Sequence, residues 1–256
     1  MKKLTKSLAI AGAIMCSSVG LVACGGESGL VDVKGTYTQS SVAETRAYTD
    51  TLDTTKVAEG GSYKVQMRFN LAAQGQKVNL KVDGHIDDAG NFDLSIITSA
   101  KNEKIVMNLN YETATTTLYS DVSIGAIKAK VYTPITKEGE QFSGLTIGDD
   151  FLSPADVKTL ITALGDDANV SISETETTVK IKYIGDGNTA GTTYYVVLNK
   201  NEDTYSFAGA RCEIALTTND KEIGLATYDG YIDLALSNEP VKTLTDAEKA
   251  QYGTDK

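Results

Sequence analysis

The sequence contains one histidine, no tryptophan, three prolines and three cysteines among its 256 residues. Ser-His-Asp and Cys-His catalytic sites need a histidine beside a nucleophile, and the single histidine, His85, lies on the polar side of a predicted strand. A zinc site needs clustered histidine or cysteine ligands, which this sequence does not contain. We therefore expect a protein that is not an enzyme and that holds no metal and no other cofactor.

Basic residues are also scarce, since 24 Lys and Arg stand against 34 Asp and Glu. Residues 1–23 hold three of the lysines and none of the acids, so their removal would leave a formal net charge of −13. A domain of this charge is repelled by nucleic acid and by anionic lipid surfaces. We expect no nucleic-acid partner. Nothing in the sequence selects a catalytic carboxylate pair from so many acids.

The N-terminus carries an apolar run without charge. Lys2, Lys3 and Lys6 precede it, and the run over residues 8–22 is too short to persist as a transmembrane helix. This order of basic, apolar and small residues is typical of a signal peptide. We assign the signal peptide to residues 1–23.

LVAC (residues 21–24) spans the end of this predicted signal peptide and resembles the lipobox of bacterial lipoproteins. The resemblance implies cleavage before Cys24, lipid attachment to its thiol, and a flexible tether over 24–40. The protein would then lie on the extracytoplasmic face of the bacterial cell membrane, with the membrane as its partner through the anchor. The alternative is a secreted protein cut near Ala23 with a free Cys24. If Cys24 is lipidated, Cys212 has no disulfide partner and is expected to be a small buried hydrophobe.

Alternation of apolar and polar residues predicts strands through most of the remaining chain. In SYKVQMRFNLA (62–72) the apolar residues alternate with Lys, Gln, Arg and Asn, as in a strand with one buried face. Similar segments recur between short polar turns, which is typical of an antiparallel meander. We predict one meander at 62–133 and a second at 169–236. The alternation changes phase near Gly209 and Gly230, which predicts bulges there.

Helical signals occur in three places. Between the meanders, capping residues followed by apolar residues at helical spacing predict a helix over 153–164. Near the C-terminus, a capping box at Thr245 and Glu248 predicts a short helix over 245–252. The segment 41–52 is a further candidate, although its apolar pattern is poor.

These elements predict a mainly β (β-rich α+β) protein: a large curved antiparallel sheet or half-barrel meander, with one central helix and a short C-terminal helix, in a single domain over 41–256. About eleven one-sided strands need more cover than one three-turn helix supplies. The sheet either closes on its own side chains or leaves an apolar concave face for a ligand. The residues predicted to line this space are Val65, Met67, Phe69, Leu80, Val82, Leu94, Ile96, Met107, Leu109, Leu160, Leu164, Val196 and Leu198.

The lipobox, the meander that begins SYKVQMRFNLAAQGQKVNLKVDG and the helical SPADVKTLITAL resemble in layout the LolA/LolB and LprG/LppX type of lipoprotein. The resemblance implies a half-barrel that cradles helices and encloses a lipid-binding cavity, and it transfers no individual residue. We therefore expect a membrane-tethered protein that binds or carries an apolar ligand, such as a lipid or a lipid-linked molecule. The alternative is a non-enzymatic interaction or structural module of the cell surface with no internal ligand.

Overall fold

The computed structural model describes residues 29–53, 61–73, 75–87, 89–100, 103–135, 158–159, 161–162, 164–186, 190–202, 204–220 and 224–254. The predicted signal peptide, the predicted lipobox with Cys24 and the predicted tether as far as residue 28 lie outside the described residues. Leu160 and most of the helix predicted at 153–164 also lie outside them. Within the described part of the chain, no helix is long and apolar enough to cross a membrane.

Fourteen strands of the described residues form one sheet. They are β1 (Thr38–Ser40), β2 (Leu52–Asp53), β3 (Ser62–Ala73), β4 (Gln76–Ile86), β5 (Phe92–Ala100), β6 (Glu103–Glu112), β7 (Thr117–Ile124), β8 (Ile127–Pro134), β9 (Asn169–Glu174), β10 (Thr178–Ile184), β11 (Thr192–Asn201), β12 (Thr204–Asp220), β13 (Gly224–Ser237) and β14 (Gly253–Thr254). Strands β3 to β13 are the eleven predicted from alternation. The prediction of a mainly β protein built on a large antiparallel sheet is confirmed.

The strand order across the sheet is β1-β9-β10-β11-β12-β13-β3-β4-β5-β6-β7-β8-β14, and β2 lies beside β12. The two meanders therefore meet in the middle of the sheet, where β13 pairs with β3 from Ser62 opposite Ser237 to Ala73 opposite Ala226. The last strand of the first meander and the first strand of the second lie towards opposite edges. Residues 135–168 connect them.

The two faces of the sheet differ in polarity. The face that carries the hydrophobic core, here called the inner face, includes Val65, Leu94, Leu198 and Leu234. The outer face carries charged and amide side chains, because successive residues of a strand point to opposite sides. The sheet therefore has one apolar and one polar surface, as the alternation in the sequence predicted.

Helix α1 (Val42–Asp50) begins at Ser41, whose side chain accepts a hydrogen bond from the Glu44 amide. Its buried residues include Val42 and Thr45, and the Tyr48 ring packs edge-on against a tyrosine of β12 at 5.3 Å. The helix therefore covers the inner face near β9 and β12. The candidate helix at 41–52 is present in spite of its poor apolar pattern.

Five residues of the helix predicted at 153–164 are described, and four of them, residues 158–159 and 161–162, are helical. Ile161 is 2% exposed and belongs to the core. The Arg46 guanidinium of α1 donates to the Leu164 carbonyl at 2.8 Å. These contacts place the described part of this segment beside α1.

The C-terminal helix α2 (Asp246–Lys249) has the predicted capping box between Thr245 and Glu248. It is shorter than the predicted span of 245–252. The chain leaves the helix to form β14, which pairs in parallel with β8, and the Tyr252 ring packs against a tyrosine of β7 at 5.3 Å. Strand pairing and aromatic contact thus end the helix after one turn.

One of the two predicted bulges is present. Val197 pairs with Gly209 and Leu198 with Phe207, so the register shifts beside Gly209 as predicted. The bulge predicted at Gly230 is wrong, because the register of β13 is continuous with both neighbouring strands there. A Cβ at Gly230 would overlap backbone atoms of β3, so the glycine permits a close approach of two strands.

Both terminal segments pack on the outer face. Residues 29–37, which the sequence predicted as part of a flexible tether, lie over the second meander, with Val31 6% exposed. Residues 241–252 lie over the first meander, where Lys249 pairs with Glu112 at 2.8 Å. The outer face is therefore partly covered by the two ends of the domain.

Candidate functional site

The predicted lining residues of the first meander all lie on the inner face, in rows that cross β3 to β6. Pairing of opposite residues places their side chains about 5 Å apart on one face. Three adjacent rows contain Val65, Leu94 and Leu109; Met67, Val82, Ile96 and Met107; and Phe69 and Leu80.

Burial decreases from the first of these rows to the third. Val65 and Leu94 are 1% and 8% exposed, whereas the residues of the later rows are mostly half-buried. Beyond them, Ile124 and Ile127 at the β7–β8 turn are 43% and 71% exposed. The half-buried residues form a surface that we call the apolar strip: Met67, Phe69, Leu80, Ile96, Met107 and Leu109.

The other predicted lining residues are more deeply placed. Val82, Val196 and Leu198 are 6%, 5% and 0% exposed and belong to the hydrophobic core, as do Val65 and Leu94. Leu164 is partly buried against the same core, near α1. The structure thus groups six of the predicted residues into a strip, places five in the buried core and packs Leu164 against that core.

Helix α1 packs on the inner face at β9 and β12, which carry none of the strip residues. The Tyr48 hydroxyl donates to Glu174 at the end of β9, and Lys200 forms an ion pair with the same carboxylate. The Lys200 hydrogen bond lowers the pKa of Glu174 below its ordinary value. Helix α1 therefore covers the inner face near the end of β9 and the start of β12, while the strip lies on β3 to β6.

The sequence prediction omitted four residues that extend the strip. Ile105 and Val122 are half-buried on the inner face of β6 and β7, and Ile124 and Ile127 lie at the end of the same rows. The sequence contains the pattern that could have identified these residues, because each one continues the alternation of apolar and polar residues in its own strand. Only the strand pairing shows that Val122 lies opposite Met107 and that Ile124 lies between Ile105 and Ile127.

His85 lies on the outer face, as its position in the alternation predicted, but it is not simply exposed. Its side chain is 18% exposed, with Nδ1 3.3 Å from the Asp93 carboxylate and Nε2 3.3 Å from that of Glu239. Asp93 also accepts a hydrogen bond from the Lys242 amide at 2.6 Å. These contacts join the C-terminal segment to β4 and β5, which is a structural role.

Cys212 is half-buried on the inner face of β12, opposite Tyr194 and Ile232. Burial raises the pKa of its thiol to about 12. A thiol of this kind is not a nucleophile at neutral pH. Its environment is that of a small core residue.

The described residues contain no group of three or more His, Cys, Asp or Glu side chains that could hold a metal ion. A cleft lies at the β11–β12 turn, lined by Lys200, Asn201, Glu202, Thr204 and Tyr205. Its lining is polar and includes none of the predicted residues. The apolar strip is therefore the surface with the clearest capacity to bind a ligand.

Comparison with known proteins assigns no family. No protein-family model matches the chain, and no curated protein matches it. Similar solved structures include a DUF1329 family protein from Desulfovibrio piger (14% identity, 80% of this chain and 93% of that one, TM-score 0.21). A second is a LolA superfamily protein from Nitrosomonas europaea (10% identity, 81% of this chain and 96% of that one, TM-score 0.23). A third is an outer membrane lipoprotein-sorting protein domain from Vibrio parahaemolyticus (10% identity, 82% of this chain and 95% of that one, TM-score 0.22).

One of these three descriptions, that of the Nitrosomonas europaea protein, names the LolA superfamily, whose layout the sequence resembles. TM-scores this low do not establish a shared structure. The fold is therefore assigned from the strand order of this chain, and its function is argued from its own residues.

Proposed function

We propose that the protein is a membrane-tethered extracytoplasmic lipoprotein that binds an apolar ligand on the apolar strip and performs no catalysis. The observation that carries the proposal is the strip itself, a contiguous set of half-buried apolar side chains that ends in the exposed Ile124 and Ile127. Contiguous apolar surface on a folded protein commonly marks a binding site. Each Å² that a ligand covers contributes roughly 25 cal/mol.

The shape of the strip favours an extended aliphatic chain as the ligand. The row that contains Met67, Ile96 and Met107 continues to Val122, across five neighbouring strands. Four spacings between strands span about 19 Å. Such a row provides a surface on which a fatty acyl chain can lie at full length.

The polarity of the strip also favours an aliphatic chain as the ligand. The polar side chains in its rows are the uncharged Thr98 and Ser120. Charged side chains of the same strands, such as Lys81 and Asp83, point to the outer face. We therefore propose a hydrocarbon chain on the strip, with any polar head group outside it, as in a lipid or a lipid-linked molecule.

The ligand part of the proposal is tested with the chain from residue 25 onwards, which has no anchor. The delipidated protein is mixed with a total lipid extract, re-isolated and examined by native mass spectrometry. We expect retained adducts that an alkane-chain fluorescent probe displaces. Recovery of the bare protein at every lipid concentration, with no probe binding, would remove the apolar-ligand proposal and leave the surface-module alternative.

The anchor part is tested on the full chain expressed in a bacterium. We expect the mature protein to begin at Cys24 and to carry the added mass of a diacylglyceryl group. A Cys24→Ser variant is the matched control, and we expect it to remain unlipidated and to leave the membrane fraction. A mature N-terminus elsewhere, or an unmodified thiol, would contradict this part of the proposal.

A further inference from the structure

We propose that residues 29–37 act as a clamp that fixes the outer face of β10–β13 beside the membrane and turns the apolar strip away from it. This N-terminal clamp is defined by the contacts of residues 29–37 with Lys180, Arg211 and Asp233. The inference rests on the proposed lipid attachment at Cys24. The clamp itself is made of described residues and can be tested without the lipid.

The first set of clamp contacts is made with a buried ion pair of the sheet. The Arg211 guanidinium donates two hydrogen bonds to the Asp233 carboxylate, at 2.6 and 2.7 Å. The side chains are 9% and 0% exposed. The same carboxylate accepts a hydrogen bond from the Val31 amide at 3.2 Å. The terminal segment is therefore bonded to the charge that the sheet has buried.

Gly29 shows how closely the chain passes over this pair. A Cβ at Gly29 would overlap the Arg211 guanidinium and the Asp233 carboxylate. Val31 then packs against Gly209, where a Cβ would lie 3.0 Å from the Val31 side chain. Two glycines, one in the segment and one in β12, thus allow the segment to lie directly on the sheet.

The second set of clamp contacts lies further along the segment, at Lys180 and Tyr37. Lys180 is 9% exposed, and its Nζ donates to the Asp32 carboxylate at 2.8 Å and to the Lys34 carbonyl at 2.7 Å. The Tyr37 hydroxyl donates to the Val33 carbonyl at 2.8 Å, and its ring packs edge-on against Tyr195 at 6.0 Å. These contacts hold the segment until it pairs with β9 as strand β1.

The clamp limits how far the domain can move from the anchor. Cys24 and Gly29 are five residues apart, and five extended residues span at most about 18 Å. A tether that was free over 24–40 would allow roughly three times that distance. Since Gly29 lies on the outer face, it is this face that stays near the bilayer. The inner face, with the apolar strip, points to the opposite side.

The test uses the full lipidated chain in phosphatidylcholine vesicles that contain an acceptor-dye lipid. In a Cys212→Ser background, a donor dye is attached at Thr227→Cys or at Ala47→Cys. Thr227 is exposed on the outer face of β13, and Ala47 is exposed on α1, which covers the inner face. We expect clearly greater energy transfer from Thr227 than from Ala47. Equal or reversed transfer would overturn the proposal.

A second variant separates the clamp from any affinity of the face itself. An insertion of twelve Gly and Ser residues after Gly26 leaves every clamp contact in place and lengthens the free tether. We expect the difference in transfer between the two sites to fall by more than half. If the difference persists, the outer face orients on lipid without the clamp, and the proposal is wrong.

The clamp is checked without lipid on the Cys24→Ser chain by hydrogen exchange. We expect the Val31 amide to exchange at least 100-fold more slowly than in an unstructured peptide, and Gly29→Leu to abolish this protection. Rapid exchange at Val31 would overturn the clamp even if Cys24 is lipidated. A chain that shows protection but no acyl mass would instead contradict the proposed anchoring and with it the orientation.

Discussion

Arg211 and Asp233 face each other on neighbouring strands at the centre of the sheet, joined by two hydrogen bonds and covered by the N-terminal segment. Burial lowers the pKa of the Arg211 guanidinium. The hydrogen bonds and the negative charge of Asp233 have the larger opposite effect, so the pKa of Arg211 is raised above its ordinary value. Removal of one partner leaves the other buried without compensation, which costs about 3–5 kcal/mol.

The first prediction follows from this pair. We expect Asp233→Ala to lower the free energy of unfolding by about 3–5 kcal/mol at pH 7, measured by urea titration. The double variant Arg211→Met with Asp233→Leu should recover a large part of that loss, since no charge is left unpaired. A loss below about 1 kcal/mol for Asp233→Ala would show that water reaches the pair.

The second prediction concerns acid. The hydrogen bond from Lys180 lowers the pKa of Asp32 below its ordinary value of 3.8. The ionised carboxylate therefore favours the folded state, and this contribution is present above about pH 4 and lost as the pH falls through the lowered pKa. We expect Lys180→Met to raise the pKa of Asp32 towards 3.8 in an NMR titration.

Lys182→Met is the matched control for this titration. Lys182 is on the same strand and face as Lys180, and its Nζ lies over the Tyr37 ring at 5.6 Å. The control removes one positive charge without removing the hydrogen bond to Asp32. An equal rise in the Asp32 pKa for both variants would mean that net charge, and not the Lys180 contact, sets its value.

The third prediction concerns Cys212, which is the sole cysteine in a chain that starts at residue 25. With a thiol pKa of about 12, roughly one molecule in ten thousand carries a thiolate at pH 8. We expect Ellman's reagent to modify the native protein at least 100-fold more slowly than the same protein in urea. Similar rates in the two states would show an exposed thiol of ordinary pKa.

The fourth prediction tests the apolar strip. Met107 and Asn108 are adjacent on β6 and point to the inner and outer face respectively. We expect Met107→Asp to reduce the affinity for an alkane-chain probe by at least tenfold, because it places a charge on the strip. Asn108→Asp adds the same charge on the other face and should leave the affinity unchanged. Equal effects of the two substitutions would place the ligand elsewhere.

The fifth prediction concerns Gly230, which does not form the predicted bulge. A Cβ at Gly230 would overlap the Arg68 carbonyl oxygen and the Phe69 backbone. We expect Gly230→Ala to destabilise the protein by about 1–3 kcal/mol. Gly75, with a φ of 72° and open space around it, is the control. Gly75→Asn should change stability by less than 1 kcal/mol, since asparagine tolerates this backbone conformation.

Local patterns were enough to predict the elements. Alternation located the eleven long strands, and the capping box located α2, because both depend on neighbours within a few residues. The short strands β1, β2 and β14 were not predicted. Two or three residues carry no periodicity, and these strands exist only because a longer strand offers its edge.

The arrangement of the elements was not predictable in the same way. Nothing local to Met67 or Ile232 shows that they are opposite each other, since the pairing of β3 with β13 is set by the packing of the whole sheet. Likewise, Gly29 and Asp32 lie in a segment that reads as a tether. Their partners Arg211 and Lys180 are more than 140 residues away in the sequence.

The pairing of β3 with β13 also sets the order in which the protein can fold. The Ser62 hydroxyl donates to the Glu239 carbonyl, 177 residues later in the chain. Contacts so distant form slowly, because a long loop must close first. Until the C-terminal part of the chain has been synthesised, β3 has one edge unpaired and open to other chains. The pairing of β13 therefore determines when this edge of β3 in a newly synthesised molecule is protected from aggregation.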